Sequence, residues 1–102
     1  MRSLKTYGKA MIRRMILDDY YLINETYIFK YSGIGLYPNT NEDMLTGKGN
    51  IVNVRLRTLY MCDDPEEKIG IIDIKKVHSV QLLTSVDIDL LLNNSEYEYN
   101  QI

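Results

Sequence analysis

The side chains able to do chemistry are few. One histidine, His78, and one cysteine, Cys62, are the only pair from which a thiol nucleophile and its base could be drawn. If the strand-like runs Ile51 to Cys62 and Ile69 to Leu83 form a hairpin about Pro65, Cys62 lies opposite Lys68. His78 then sits roughly 30 Å away at about 3.3 Å per residue, too far for a dyad. A zinc centre fails on similar grounds, because one His and one Cys without a paired spacing cannot complete a tetrahedral shell. No metal and no cofactor are expected. Two glycine pairs invite a nucleotide reading and do not sustain it. Gly33-Ile34-Gly35 lacks a third glycine, and Pro38 interrupts the helix that should follow. Thr46-Gly47-Lys48-Gly49 runs into Asn50-Ile51 where a phosphate loop needs Ser or Thr and a helix. The chain is therefore expected not to be an enzyme, with a small carboxylate-dependent hydrolase as the last of three readings.

Binding chemistry is better supplied. Between Met1 and Leu17 stand five basic residues and no acidic one, and beyond Lys76 stand four acidic residues and no basic one, within a formal charge of −2. A separation of this kind pairs the two ends or offers a basic surface to an anionic partner. The candidate partner-binding residues are Arg55 and Arg57 on the polar face of a central strand, Tyr60 beside them, Lys75, Lys76 and His78 further on, and Lys5, Lys9 and Arg13 near the start. Asp63, Asp64, Glu66 and Glu67 flank Pro65 in an acidic turn that reads as an interaction loop. Single-stranded RNA or DNA would use the arginines and stack on tyrosine. The acidic overall balance argues against it, since phosphate neutralisation supplies most of such affinity. A protein partner is preferred, and an identical chain is one option.

Positioning these residues falls to a single domain. A chain of 102 residues, 45% hydrophobic and 25% charged, can bury one core. Nine tyrosines against one Phe and no Trp point to half-buried rings on strands. Leu4, Tyr7, Met11 and Met15, with Ile12 and Ile16, recur at spacings of three and four, predicting an amphipathic helix over residues 3–17, with a strand from Met11 to Leu17 as its rival. Tyr20 to Ser32 is one bent strand or a hairpin. Residues 33–50, rich in glycine and polar residues, read as a long loop. In the central hairpin the apolar phase shifts near Arg57-Thr58, where a β-bulge is expected, and pairing about Pro65 places Met61 opposite Ile69 and Leu59 opposite Ile71. The phase shifts again at Ile74-Lys75-Lys76, which predicts a break before a last strand, Val77 to Leu83. Thr84 and Asp87 form a weak capping box that starts a short helical turn. Residues 1–94 are assigned to the domain and 95–102 to a flexible tail.

The order of elements, closing on Lys68-Ile69-Gly70-Ile71-Ile72-Asp73-Ile74-Lys75-Lys76-Val77-His78-Ser79-Val80, resembles the end of SH3-like and Sm-like small barrels. It implies an α+β fold, mainly antiparallel β, with a small curved sheet or barrel, an N-terminal helix and a short C-terminal helical turn. The Sm RNA pocket is not identifiable, so the resemblance brings no functional residue. No apolar run reaches the roughly 18 residues of a membrane span and no signal peptide is evident, so a cytoplasmic protein is expected. An excess of Ile, Asn, Tyr and Lys over Ala is what an AT-rich genome writes, as in accessory proteins of bacterial viruses and mobile elements. The functional expectation is a non-enzymatic protein that occupies a partner's surface, such as an inhibitor of a host nucleic-acid enzyme or defence complex.

Overall fold

The computed structural model describes residues 2–36, 42–60, 69–93 and 97–101. Its first element corrects the predicted N-terminal helix. Arg2–Thr6 is a strand, β1, and Lys9–Arg14 is a short 3₁₀ helix. Ser3 and Lys5 point to solvent while Leu4 and Thr6 are buried, the period-two pattern of a strand. The inward Thr6 hid that alternation, because a hydroxyl does not count as apolar. Gly8 precedes the 3₁₀ helix without a side-chain cap, so nothing at residue 8 favours a longer helix.

Tyr20–Ile23 (β2) and Tyr27–Leu36 (β3) form an antiparallel hairpin. Asn24 and Glu25 both adopt left-handed φ, 56° and 55°, and the Thr26 N–H closes the turn on Ile23 O at 3.0 Å. Two left-handed central residues twist the turn as the flanking strands twist, which suits a hairpin even without glycine. Much of the predicted 33–50 loop is strand. β3 runs to Leu36, and Asp43–Asn53 (β4) pairs with it through register shifts at Ile28/Lys30 and Tyr31/Gly33. One glycine of that predicted loop, Gly47, serves packing instead. A Cβ on Gly47 would fall 2.7 Å from Cε2 and Cζ of Phe29, and one on Gly70, the register partner of Gly47, would collide with Ile51 Cδ1.

Thr58–Tyr60 (β5) pairs back on Ile51–Asn53, so the expected bulge at Arg57-Thr58 is a reversal of the chain. Asn53 Oδ1 accepts the N–H groups of Arg55 and Leu56, both at 3.0 Å, and Arg57 takes a left-handed φ of 57°. A side-chain oxygen that gathers two backbone donors in this way replaces turn hydrogen bonds. Ile69–Asp73 (β6) also pairs with β4, along Met44–Lys48. Leu59 thus sits opposite Val52 and Ile71 opposite Thr46, not opposite each other; Met61, Cys62 and the acidic turn of Asp63, Asp64, Glu66 and Glu67 lie outside the described residues. The predicted break is present as a second 3₁₀ helix, Ile74–Lys76, with the Asp73 side chain accepting from Lys75 N–H, before the last main-sheet strand, β7 (Val80–Leu83). The main sheet runs β5-β4-β3-β2-β7, with β6 sharing one edge of β4 with β5. It is an open antiparallel sheet and not the barrel that the resemblance implied. Closure needs a ladder from β7 to β6 or β5. The free side of β7 is instead met by Tyr7, whose N–H and C=O exchange bonds with Val80 at 2.9 and 2.8 Å.

Ser85–Leu92 forms the helix α1, with the capping box of Thr84 and Asp87 in place. Tyr97–Gln101, within the segment assigned to a tail, forms β8 and pairs in parallel with β1. The main sheet is buried on both faces. On one, Tyr21, Ile23, Phe29, Tyr31, Leu45, Ile51 and Val80 pack with Ile12 and Val77; on the other, Leu22, Ile28 and Leu83 pack with Leu4 and Leu91. Each fully buried large aliphatic contributes about 1.5–3 kcal/mol. Gln81 is completely buried between these strands, and its Nε2 donates to Thr6 Oγ1 at 3.0 Å.

Candidate partner-binding surface

The structure divides the predicted binding residues into groups that do different work. Arg57 is taken by its own chain: Nη1 donates to Leu92 O at 3.0 Å and Nη2 to Leu91 O at 3.5 Å, capping the carbonyl end of α1. A guanidinium there also meets the negative end of the helix dipole. Lys75 is paired with Glu42 at 2.7 Å, which raises its pKa through that hydrogen bond and the attendant charge. Tyr60 contributes its backbone to β5. Lys5, Lys9, Arg13, Lys76 and His78 are exposed.

One group gathers round the β2–β3 turn. Arg55 Nε donates to Thr26 Oγ1 at 3.3 Å. On the other side Asn24 holds the chain between the second 3₁₀ helix and β7: its Oδ1 accepts from His78 N–H at 2.6 Å and Ser79 N–H at 3.2 Å, and its Nδ2 donates to Lys76 O at 2.8 Å. Arg55, Lys76 and His78 are thereby placed about one turn, with Glu25 in it. Burial raises the Tyr99 hydroxyl pKa, Glu25 adds to the rise and Arg55 opposes it, so these charges lie near one ring. The cluster mixes signs, and its backbone contacts serve to fix the fold.

A different surface stands out at the start of the chain. Ile16, Leu17 and Ile34 are 63%, 60% and 49% exposed. Their exposure is built in. Ile16 N–H donates to the hydroxyl of the buried Tyr21 at 2.9 Å, Asp19 N–H closes a turn on Ile16 O at 3.2 Å, Asp18 N–H reaches Tyr31 O at 2.8 Å, and Tyr31 N–H returns to Asp19 O at 3.0 Å. Asp18 takes a left-handed φ of 71° within that turn. Leu17 lies over Gly33, with its Cδ2 3.8 Å from where a Cβ would stand, and Ile34 follows directly. Ile34 in turn shares a depression with Lys9, Arg13 and Asp43, and Arg13 and Arg14 line a second depression with Tyr7. Among the described residues Lys9, Arg13 and Arg14 make no salt bridge. The result is an apolar ridge whose rim carries Lys9, Arg13 and Arg14 together with the acids Asp18 and Asp43.

Lys9 and Arg13 of this surface were legible from charge alone. Ile16, Leu17 and Ile34 were not, because helical spacing puts Ile16 with Ile12 and Met11 on a buried face. The 3₁₀ helix stops at Arg14, and the turn that follows carries the next apolar pair outward. Among the described residues no group of three or more His, Cys, Asp and Glu could hold a metal ion, and no helix is long and apolar enough to cross a membrane. No family model matches the chain, and neither a curated protein nor a solved structure matches it.

Proposed function

We propose that this chain is a non-enzymatic binding protein that covers a surface of another protein, and that the partner seats on Ile16, Leu17 and Ile34 with Lys9, Arg13 and Arg14 at the rim. The observation that carries this reading is the fixed turn at residues 16–19, which holds two large aliphatic side chains in water through hydrogen bonds to buried tyrosines. Apolar side chains grouped on a surface and rimmed by polar ones are the usual mark of an interaction site. The basic side of the rim, Lys9, Arg13 and Arg14, suits a partner whose apolar patch is bordered there by carboxylates. A host nucleic-acid enzyme or defence complex is the class of partner that the composition favours.

The test uses the purified full-length chain as bait in a lysate of its host cells, followed by titration of the captured protein in pure form. Ile16→Asp combined with Leu17→Asp should abolish the complex, Lys9→Ala with Arg13→Ala should weaken it in a salt-dependent way, and Arg55→Ala should leave it unchanged. Binding to a labelled single strand that falls steeply with salt and depends on Lys9 and Arg13 would replace the protein reading with nucleic-acid binding. Co-sedimentation with anionic vesicles that needs Ile16 and Leu17 would replace it with a membrane surface.

A further inference from the structure

Among the described residues β8 is the outer strand of its sheet. It belongs, among the described residues, to a sheet of two strands, and its neighbour there, β1, is engaged on its far side by the Tyr7–Val80 bridge. Two-stranded sheets are marginal in water, and parallel pairs are the weaker kind. The register with β1 runs without a shift from Arg2↔Tyr97 to Thr6↔Gln101. Native edges are usually blunted by proline, lysine or a bulge. Tyr97-Glu98-Tyr99-Asn100-Gln101 has no proline, lysine or register shift, and its one edge charge is Glu98; its tyrosines favour extended chain.

We propose that β8 is a self-association edge: β8 of a second copy adds to it antiparallel, about a two-fold axis through Tyr99, making one ribbon in the order β1, β8, β8, β1. Charge selects the axis. Glu98 is the only ionised side chain on the strand. An axis through Glu98 sets two carboxylates directly opposite each other, which is destabilising, whereas an axis through Tyr99 sets each Glu98 opposite an Asn100. Glu98 and Asn100 are both exposed on the outer face, and Lys5, the register partner of Asn100, is exposed with them. Each Lys5 thus lies one strand beyond the Glu98 of the second copy, within the roughly 8–10 Å over which charges act at ordinary salt. The inner face is already covered, since Tyr97 and Tyr99 pack on the core shared with Leu4 and Leu91. The contact is therefore narrow and the association weak, and it shares no residue with the docking ridge.

Sedimentation equilibrium of the full chain from about 10 µM to about 1 mM, the range of a weak interface, should show a monomer–dimer equilibrium. Asn100→Lys places an ammonium opposite each Glu98 and should tighten the dimer about 2- to 30-fold; Asn100→Glu places a carboxylate there and should weaken it by a similar factor. Within one copy the same changes act the other way. Lysine beside Lys5 should lower the melting temperature measured at low concentration, and glutamate beside Lys5 should raise it. Opposite orders for dimer strength and monomer stability support the proposal. A chain that stays monomeric throughout, a dimer constant that the two variants shift alike, or one that follows monomer stability overturns it.

Discussion

Asn24 ties the first hairpin of the main sheet to its last strand, and replacing it separates two contributions that coincide in one residue. Its side chain accepts from His78 and Ser79 and donates to Lys76, while its backbone occupies a left-handed conformation at φ 56°. Asn24→Gly removes the side-chain bonds and keeps the conformation at no steric cost. Hydrogen bonds at a partly exposed site contribute about 0.5–1 kcal/mol each net, so the loss should be about 2 kcal/mol. Asn24→Ala loses the same bonds and adds about 1 kcal/mol for a Cβ in left-handed backbone. For a domain of this size about 4–8 °C accompanies each kcal/mol, which puts the glycine variant roughly 8–16 °C below the native chain and the alanine variant lower still. Thermal melts followed by circular dichroism give the order, and amide exchange at His78 and Ser79 locates the loosening. Equal stability of the native and glycine variants would refute the clamp. Equal stability of the glycine and alanine variants would refute the backbone part.

Gly47→Ala should cost about 1–3 kcal/mol, the usual range for overpacking, because the new methyl meets the ring of the buried Phe29 at 2.7 Å; urea denaturation should show a lower midpoint at unchanged slope. Burial holds the Tyr31 hydroxyl pKa above the free phenol value, with Tyr21 adding to the rise. The folded chain then keeps that proton more tightly than the unfolded chain. This contribution is complete below about pH 10 and is lost as pH climbs through the folded-state pKa. Phenolate absorbance should show a tyrosine titrating later than the exposed ones, and Tyr31→Phe should flatten the alkaline fall in stability.

Features with a local cause were legible in the sequence. The break at Ile74–Lys76 announced itself as a lost alternation, and the Thr84–Asp87 capping box by its spacing. What escaped depended on distant partners. Thr6 is buried because Gln81, on another strand, donates to it. Gly47 reads as a loop residue and Gly70 as an ordinary strand position, but each makes room for a side chain from elsewhere, Phe29 and Ile51. The Asn53 reversal was mistaken for a bulge, since both shift the apolar phase by one. In the candidate surface the charges at Lys9 and Arg13 were visible, whereas the outward turn of Ile16 and Leu17 required the Tyr21 hydroxyl. Arg57, read as a binding residue, is spent on the end of α1.

The parallel pairing of β1 with β8 has a kinetic consequence. Joining Arg2 to Tyr97 closes a loop of about 95 residues, at an entropic cost of about 4 kcal/mol if the intervening chain were still random. Once the main sheet has condensed, most of that search is already done. The ribbon should thus assemble after the main sheet and open before it, and its amides should exchange through excursions that leave the sheet intact.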